Sequence, residues 1–140
     1  MDPMANNVTK VHLLDDIKDL AATAGFGDQL ETRFARAALG SKEGALGLQR
    51  IKPGQRQPFA HKQKEQEEIH VIIAGSGRVK VDHDFLDLVQ YDAIRIAPDV
   101  IRQFEAGPDG MDLLIFGSPA GDPTKVGGGD SVTYKKFWDV

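Results

Sequence analysis

The chain has 140 residues, no cysteine and four histidines, and its 17 basic and 21 acidic residues give a formal net charge of −4. This length is typical of one domain that folds without a metal or disulfide, and the missing cysteines exclude disulfides, cysteine-ligated zinc, iron–sulfur clusters and thiol nucleophiles. The acidic balance argues against a nucleic-acid partner, because phosphate binding requires a basic surface. No apolar run approaches the ~20 residues of a membrane span, and no signal sequence is recognisable. We therefore expect a cytoplasmic protein without a membrane partner.

Residues 1–40 are predicted to form a partly helical N-terminal extension. Leucine and isoleucine recur at helical spacing across Val11–Ala24, which predicts a first helix. Asp28 is a suitable N-cap for a second helix through Leu39, and Gly40 is a suitable terminator.

Residues 41–118 are predicted to form an all-β barrel domain. Short apolar runs replace the helical periodicity and are separated by turns rich in glycine, proline and aspartate. Their spacing of roughly 8–12 residues is typical of antiparallel strands in a sandwich or barrel. The predicted strands are Ala45–Ile51, Glu68–Ala74, Arg78–Asp82, Phe85–Val89, Ala93–Ile96, Arg102–Ala106 and Met111–Phe116.

Side-chain alternation identifies one strand with polar groups among apolar ones. Glu68, His70 and Ile72 fall on one face of this strand, and the opposite face carries only aliphatic side chains. Arg102 and Phe104 likewise share one face of a later strand. Packing alone does not explain a glutamate and a histidine among apolar neighbours, so the pattern indicates a polar site inside the barrel.

Residues 119–140 are predicted to form a loop rich in glycine and proline, followed by an aromatic tail. The tail carries Tyr134, Phe137 and Trp138. Two arrangements bury such side chains, namely packing on the chain's own barrel and packing across a dimer interface.

Two segments together resemble the paired motifs of the cupin superfamily. They are PGQRQPFAHKQKEQEEIHVIIAGSGRVKVD (Pro53–Asp82) and YDAIRIAPDVIRQFEAG (Tyr91–Gly107). The resemblance implies an all-β fold, a jelly-roll barrel preceded by a short helical extension, as in small single-domain cupins of unsettled activity. It also implies a divalent metal ion inside the barrel, held in that family by three histidines and one glutamate.

The family's ligand positions are only partly matched. His61 corresponds to the first histidine and Glu68 to the glutamate, but Gln63 stands at the second histidine position and Arg102 at the third. Iron, manganese, nickel or zinc would suit the remaining nitrogen and oxygen donors, and the predicted metal ligands are His61, Gln63 and Glu68. His70 is an alternative ligand, whereas arginine cannot ligate because its guanidinium stays protonated.

A pocket without metal is the alternative, and it takes two forms. In the first, Arg102 binds a carboxylate or phosphate of a small ligand, with Ile72 and Ile96 as apolar walls. In the second, Arg102 forms an internal salt bridge with Glu68 and the pocket binds nothing. The predicted ligand-binding residues are His61, Gln63, Glu68, His70, Arg102 and Phe104.

Three functions therefore follow from the sequence. The first is the binding of a small polar ligand, anionic if Arg102 recognises it, with catalysis left open. The second is a metal-dependent cupin enzyme of isomerase or dioxygenase type, and the third is a non-catalytic sensor or structural protein. The pair Gln63 and Arg102 discriminates the metal enzyme from the other two. An inward guanidinium opposes a metal ion, whereas an outward Arg102 with Gln63 as a ligand favours one. A homodimer is also predicted, through the aliphatic face formed by Ile69, Val71 and Ile73, and burial of this face under the N-terminal segment is the alternative.

Overall fold

A computed structural model describes residues 7–118 and 129–140, and about half of these residues belong to antiparallel β-strands. The two helices, α1 and α2, are single turns, and the described strands form one curled sheet. The elements are α1 (Leu20–Thr23), β1 (Leu30–Phe34), α2 (Arg36–Leu39), β2 (Ala45–Ile51), β3 (Ala60–Gln63), β4 (Glu68–Val81), β5 (Asp84–Leu88), β6 (Ala93–Ile96), β7 (Arg102–Gly117) and β8 (Ser131–Tyr134).

The sheet is organised around two long strands, β4 and β7, which pair along most of their length. The order β1-β2-β7-β3-β8 runs through β7, while β4 pairs with β5, β6 and β7. Both long strands have partners on two sides, and the register shifts in β4 are of the kind that bends a strand, so that the sheet curls over its own inner face. Phe104, Ile72 and Leu113 are fully buried on that face and form the centre of the core. This architecture confirms the predicted all-β jelly-roll fold.

Two pairs of predicted strands are single strands in the structure. Arg78–Asp82 continues from Glu68–Ala74 within β4, and Met111–Phe116 continues from Arg102–Ala106 within β7. In β4, Gly75 and Gly77 suggested a turn but instead lie at register shifts in the pairing with β7. In β7, Gly107 and Gly110 fall between Ala106 and Met111, the partners of Gly77 and Gly75.

Gly75 shows why the bulge in β4 requires glycine. Its φ is +73°, and a Cβ at this position would lie 2.0 Å from the carbonyl oxygen of Gly110. We expect Gly75→Ala to lower the free energy of unfolding by about 2 kcal/mol, since backbone must move to relieve the clash. Gly44→Ala is the matched control, because a Cβ there meets open space. Equal urea denaturation midpoints for the two variants would contradict this expectation.

The N-terminal helices are shorter than the spacing predicted. In place of a helix across Val11–Ala24, only α1 is helical, and the preceding residues form turns. The prediction of a second helix is wrong over Leu30–Phe34, because these residues form the strand β1. The alternating side chains of this strand pair with β2, and Leu30 and Thr32 are buried. Asp19 joins the two elements, since its Oδ1 accepts hydrogen bonds from the Ala21 and Thr32 amides, both at 3.0 Å. In the described part of the chain, neither helix is long and apolar enough to cross a membrane.

The C-terminal tail packs on the chain's own barrel, the first of the two predicted arrangements. The strand β8 pairs with β3, and Lys80 Nζ donates to the carbonyl oxygens of Phe137 at 2.6 Å and Val140 at 2.8 Å. Trp138 is buried, and the Arg56 guanidinium lies 4.3 Å from the centre of its ring. Most of the predicted glycine- and proline-rich loop, residues 119–128, lies outside the described residues.

The outer face of β4 is aliphatic, as the alternation predicted. Ile69 is 41% exposed and pairs across the strands with Phe116, which is 42% exposed. The homodimer through this face stays a prediction.

Candidate functional site

A cavity of about 420 Å³ lies between the inner face of the sheet and the N-terminal segment. Its walls are mainly apolar and come from α1, β1, β2 and the segment before β3, whereas polar groups on β3, β4 and β8 form its floor. The apolar lining includes Leu20, Ala21, Phe26, Leu30, Phe34, Leu46, Phe59 and Ile115, and the polar lining includes Thr32, Arg36, Gln57, His61, Gln63, Gln66, Glu68, His70, Ser131 and Thr133.

Glu68 is the centre of the floor. Its Oε1 lies 3.1 Å from Arg102 Nη2 and 3.7 Å from the Nε2 atoms of both His61 and His70. These three neighbours come from β7, β3 and β4, so one carboxylate oxygen joins three strands. In the part of the chain that the structure describes, no hydrogen bond reaches Glu68 Oε2. Since Glu68 lines the cavity, this oxygen is available to a ligand.

Arg102 points inward but lies behind the floor. It is fully buried and absent from the cavity lining. Besides Glu68, its guanidinium donates through Nη1 to the carbonyl oxygens of Val100 at 2.7 Å and Pro98 at 3.2 Å. The arginine therefore neutralises Glu68 and ties β7 to the preceding loop, and it does not present its charge to a ligand.

His70 occupies a dry position on the same floor. Only 2% of its surface is exposed, and its ring centre lies 4.8 Å from that of Phe104. Nδ1 has no hydrogen-bond partner among the described residues. A neutral imidazole with the proton on Nε2, facing Glu68, leaves only a lone pair at the buried Nδ1, and this assignment costs less than burying an unpaired N–H.

The charge state of the floor follows from burial and from these contacts. Burial alone would raise the pKa of the Glu68 carboxyl, but the contact with His61 and the positive charges around it, Arg102 included, lower it to about 2. Burial lowers the pKa of His70 to about 4, because the attraction to Glu68 offsets only part of the desolvation. At neutral pH the floor thus combines a carboxylate with an uncharged His70.

Gln63 is held in place by the C-terminal segment. Its Oε1 accepts a hydrogen bond from Ser131 Oγ at 2.7 Å, and its Nε2 donates to Gln66 Oε1 at 2.9 Å. Asp130 accepts hydrogen bonds from the amides of Glu65 and Gln66, which closes the loop after β3 beside the cavity. The Gln63 carbonyl is therefore engaged with β8 and is not directed at Glu68.

The residues present do not fit a metal ion. An ion bonded to Glu68 Oε1 at about 2.1 Å would lie within about 5 Å of Arg102 Nη2, given the 3.1 Å contact. At an effective dielectric constant of about 20, a divalent ion and a guanidinium at that distance repel each other by roughly 6 kcal/mol. The predicted ligand set of His61, Gln63 and Glu68 is also incomplete, because the Gln63 oxygen accepts a hydrogen bond from Ser131 and is not directed at Glu68. No group of three or more metal-binding side chains is arranged around one point in residues 7–118 and 129–140.

The structure brings together four of the six predicted ligand-binding residues. His61, Gln63, Glu68 and His70 line the cavity, whereas Arg102 and Phe104 support the floor from behind. The predicted walls Ile72 and Ile96 belong to the core. Sequence reasoning missed further lining residues, namely Phe26, Phe59, Gln66, Ser131 and Thr133. Phe59 lies two residues before His61, a spacing that could have signalled a shared face.

Comparison with solved structures identifies cupin proteins, although no protein-family model and no curated protein matches the sequence. A cupin protein from Bacteroides fragilis is 25% identical, with a TM-score of 0.67 over 84% of this chain and 88% of that one. A sugar phosphate isomerase of the cupin superfamily from Silicibacter pomeroyi is 22% identical, with a TM-score of 0.64 over 80% and 76% of the two chains. Oxalate decarboxylase from Bacillus subtilis is 20% identical, with a TM-score of 0.63 over 74% of this chain but only 28% of the longer enzyme. The chain therefore has the fold of the cupin proteins, and its two motifs resemble theirs.

Proposed function

We propose that the barrel cavity binds a small, mainly apolar molecule whose polar end donates a hydrogen bond to Glu68. The observation that carries this proposal is a carboxylate at the end of an apolar cavity of about 420 Å³, with one oxygen that accepts no hydrogen bond from residues 7–118 or 129–140. This volume falls within the usual range of small-molecule sites, which combine apolar walls with a few placed polar groups. A hydroxyl or an amine is the head group that such a floor favours.

An anionic head group is less well matched to the floor. The guanidinium of Arg102, which the sequence offered as the partner of an anion, is bonded to Glu68, Pro98 and Val100 and is absent from the cavity lining. A ligand carboxylate at the floor would instead face the Glu68 carboxylate. The other arginine, Arg36, lines the cavity from α2 and is not part of the floor, and its Nε donates to the Ser41 carbonyl oxygen at 3.4 Å.

The position of Arg102 also argues against the metal-dependent alternative. Its guanidinium points inward and contacts Glu68, so that it opposes a metal ion beside this carboxylate. Binding of a small molecule without metal is therefore the function that the geometry supports best. The hydrogen bond of Arg102 to Glu68 and the contact of His70 with Glu68 also agree with a structural role. A purely structural site, however, does not need the cavity that lies in front of these residues.

A matched ligand series tests the proposal. Phenylpropanol, phenylpropylamine and phenylpropanoate share an aromatic body suited to Phe26 and Phe59, and they differ only in the head group. Isothermal titration calorimetry should detect the alcohol and the amine, with the carboxylate weakest. Glu68→Gln should remove the difference in affinity between the amine and the carboxylate. Tightest binding by the carboxylate would contradict the proposed polarity.

A second pair of variants locates the binding. Thr133→Trp adds bulk to the cavity lining and should abolish binding of every member of the series. Val132→Trp is the matched control, since the adjacent side chain on β8 points to the opposite face. Equal affinities of the two variants would place the ligand outside this cavity.

A further inference from the structure

We propose that residues 129–140 form a strap across the mouth of the cavity, and that an anchor on the outer face of the sheet controls how tightly the cavity holds its ligand. The anchor consists of Lys80, Arg56, Arg78 and Trp138, which do not line the cavity. This inference rests on the proposed function, because it concerns the regulation of the same cavity.

The strand β8 brings the strap to the mouth of the cavity. Ser131 and Thr133 line the cavity and are also exposed to solvent, so this strand lies between the cavity and the surrounding water. Ser131 Oγ donates to Gln63 Oε1 at 2.7 Å, and the Asp130 carboxylate accepts a hydrogen bond from the Gln66 amide at 3.0 Å. Gln63 and Gln66 line the cavity as well. A strap that separates from β3 therefore removes two lining residues and releases two others.

The strap can separate from the barrel without disrupting the core. The strand β8 has four residues, lies at the end of the strand order and pairs with β3. Among the described residues, the buried apolar core extends from Ala21 to Ile115, so the strap contributes none of its members. Trp138 is buried against side chains of the outer face instead. Opening of such an edge element costs less free energy than global unfolding.

Lys80 fastens the far end of the strap to the outer face of β4. This lysine is buried, and it follows Val79, which points into the core. Its Nζ donates hydrogen bonds to three carbonyl oxygens of the strap, those of Phe137 at 2.6 Å, Trp138 at 3.2 Å and Val140 at 2.8 Å. One ammonium group thus holds the main chain of the strap at three points.

Two arginines hold the indole ring of Trp138. The guanidinium of Arg56 lies 4.3 Å from the ring centre, and that of Arg78 lies 5.1 Å from it. The Glu105 carboxylate accepts hydrogen bonds from Arg56 at 2.8 Å and from Arg78 at 3.1 Å, which fixes both guanidiniums beside the ring. The ring of Phe85 meets the indole edge to face at 5.2 Å. Cation–π and aromatic contacts of this kind stabilise the docked indole.

The anchor and the cavity are coupled through the position of β8. A ligand in the cavity contacts Ser131 and Thr133 only while β8 lies on β3, so the ligand favours the closed strap. A weaker anchor lowers the closed fraction of the protein, and the apparent affinity for the ligand falls with that fraction. By reciprocity, a bound ligand should hold Trp138 more firmly in its buried position.

Lys80→Met tests the coupling, because it retains an apolar side chain but removes the three hydrogen bonds to the strap. Trp138 is the single tryptophan of the chain, so acrylamide quenching of its fluorescence measures its exposure directly. We expect Lys80→Met to be quenched more strongly than the wild type and to exchange the β8 amide hydrogens faster. It should bind phenylpropylamine at least about fivefold more weakly, the lower end of typical couplings between sites. Saturating phenylpropylamine should reduce the quenching of the wild type.

Lys136→Met is the matched control, since it makes the same change on an exposed lysine of the strap itself. Its quenching, amide exchange and affinity should equal those of the wild type. If Lys80→Met fails to fold, Arg56→Ala takes its place in the same measurements, because it removes the guanidinium closest to the indole ring.

An engineered disulfide distinguishes loss of closure from a general loss of stability. Lys62 on β3 and Val132 on β8 are directly opposite residues, neither lines the cavity, and the chain has no cysteine of its own. Cysteines at such opposite positions are close enough to form a disulfide. In Lys62→Cys combined with Val132→Cys and Lys80→Met, oxidation should hold β8 on β3 and restore the wild-type affinity. Reduction should lower the affinity again.

Three results would overturn the inference. The first is unchanged quenching and amide exchange in Lys80→Met, since the lysine would then not hold the strap. The second is wild-type affinity despite stronger quenching, which would make the anchor independent of the cavity. The third is weakened binding that the oxidised disulfide does not restore. A wild-type protein that binds no member of the phenylpropyl series would refute the proposed function instead, and the measurements without ligand would still decide whether the anchor holds β8.

Discussion

Arg102→Ala is expected to lower the free energy of unfolding by about 3–5 kcal/mol, the cost of leaving one partner of a buried ion pair without the other. The substitution removes the 3.1 Å contact with Glu68 and the hydrogen bonds to Val100 and Pro98. The carboxylate stays behind in a site where burial opposes its charge. Urea denaturation at neutral pH, followed by circular dichroism, measures the change.

Two controls separate the ion pair from packing and from surface charge. Glu68→Leu combined with Arg102→Met removes both charges and retains apolar volume, so the double variant should be much closer to the wild type than Arg102→Ala. Arg95→Ala removes an exposed ion pair with Glu67 at 3.2 Å and should cost less than about 1 kcal/mol. A double variant as unstable as Arg102→Ala would mean that the arginine acts through packing and through its carbonyl contacts.

The strands were predictable wherever alternation and flanking turns agreed. Ala45–Ile51 and Ala93–Ile96 have the predicted bounds. The joined strands β4 and β7 were divided in prediction because glycine is typical of both turns and bulges, and the sequence does not distinguish the two. The strand β1 was missed because Leu30 and Phe34 also fit helical spacing, and its pairing with β2 decides between the two structures. Long-range pairing of this kind overrides local periodicity.

The sequence predicted on which face of the sheet each residue of the candidate site lies. It did not predict which of these residues line the cavity and which lie behind its floor. Alternation correctly placed Glu68 and His70 on the inner face, together with Arg102 on the neighbouring strand. It could not show that Arg102 lies behind the carboxylate, because depth depends on how the sheet curls around its core. Ser131 and Thr133 escaped prediction for a related reason, since they reach the cavity only through the pairing of β8 with β3.

The protein is expected to lose stability as the pH falls from about 6.5 to 4, and His70 is the residue responsible. Its folded pKa is about 4, against 6.5 for an unperturbed histidine. The unfolded chain therefore takes up a proton across this range while the folded chain does not. The contribution of the buried neutral imidazole is complete above pH 6.5 and is lost towards pH 4. By proton linkage it amounts to about 3 kcal/mol. Below this range, Glu68 extends the loss from its ordinary pKa of 4.5 towards its folded pKa of about 2.

Urea denaturation in steps between pH 7.5 and pH 4, in the wild type and in His70→Leu, measures the contribution of His70. His70→Leu has no imidazole to titrate at this position, so its stability should change less over this range, and the difference between the two proteins isolates the contribution of His70. The groups around His70 do not reverse the sign. Glu68 favours the protonated form, but Arg102 and His61 oppose it, and burial is the largest effect. Parallel stability profiles for the two proteins would show that His70 accepts a proton in the folded state as readily as in the unfolded chain. The imidazole would then be hydrated or would form an ion pair with Glu68. The floor would not be dry in the way that the proposed ligand site requires.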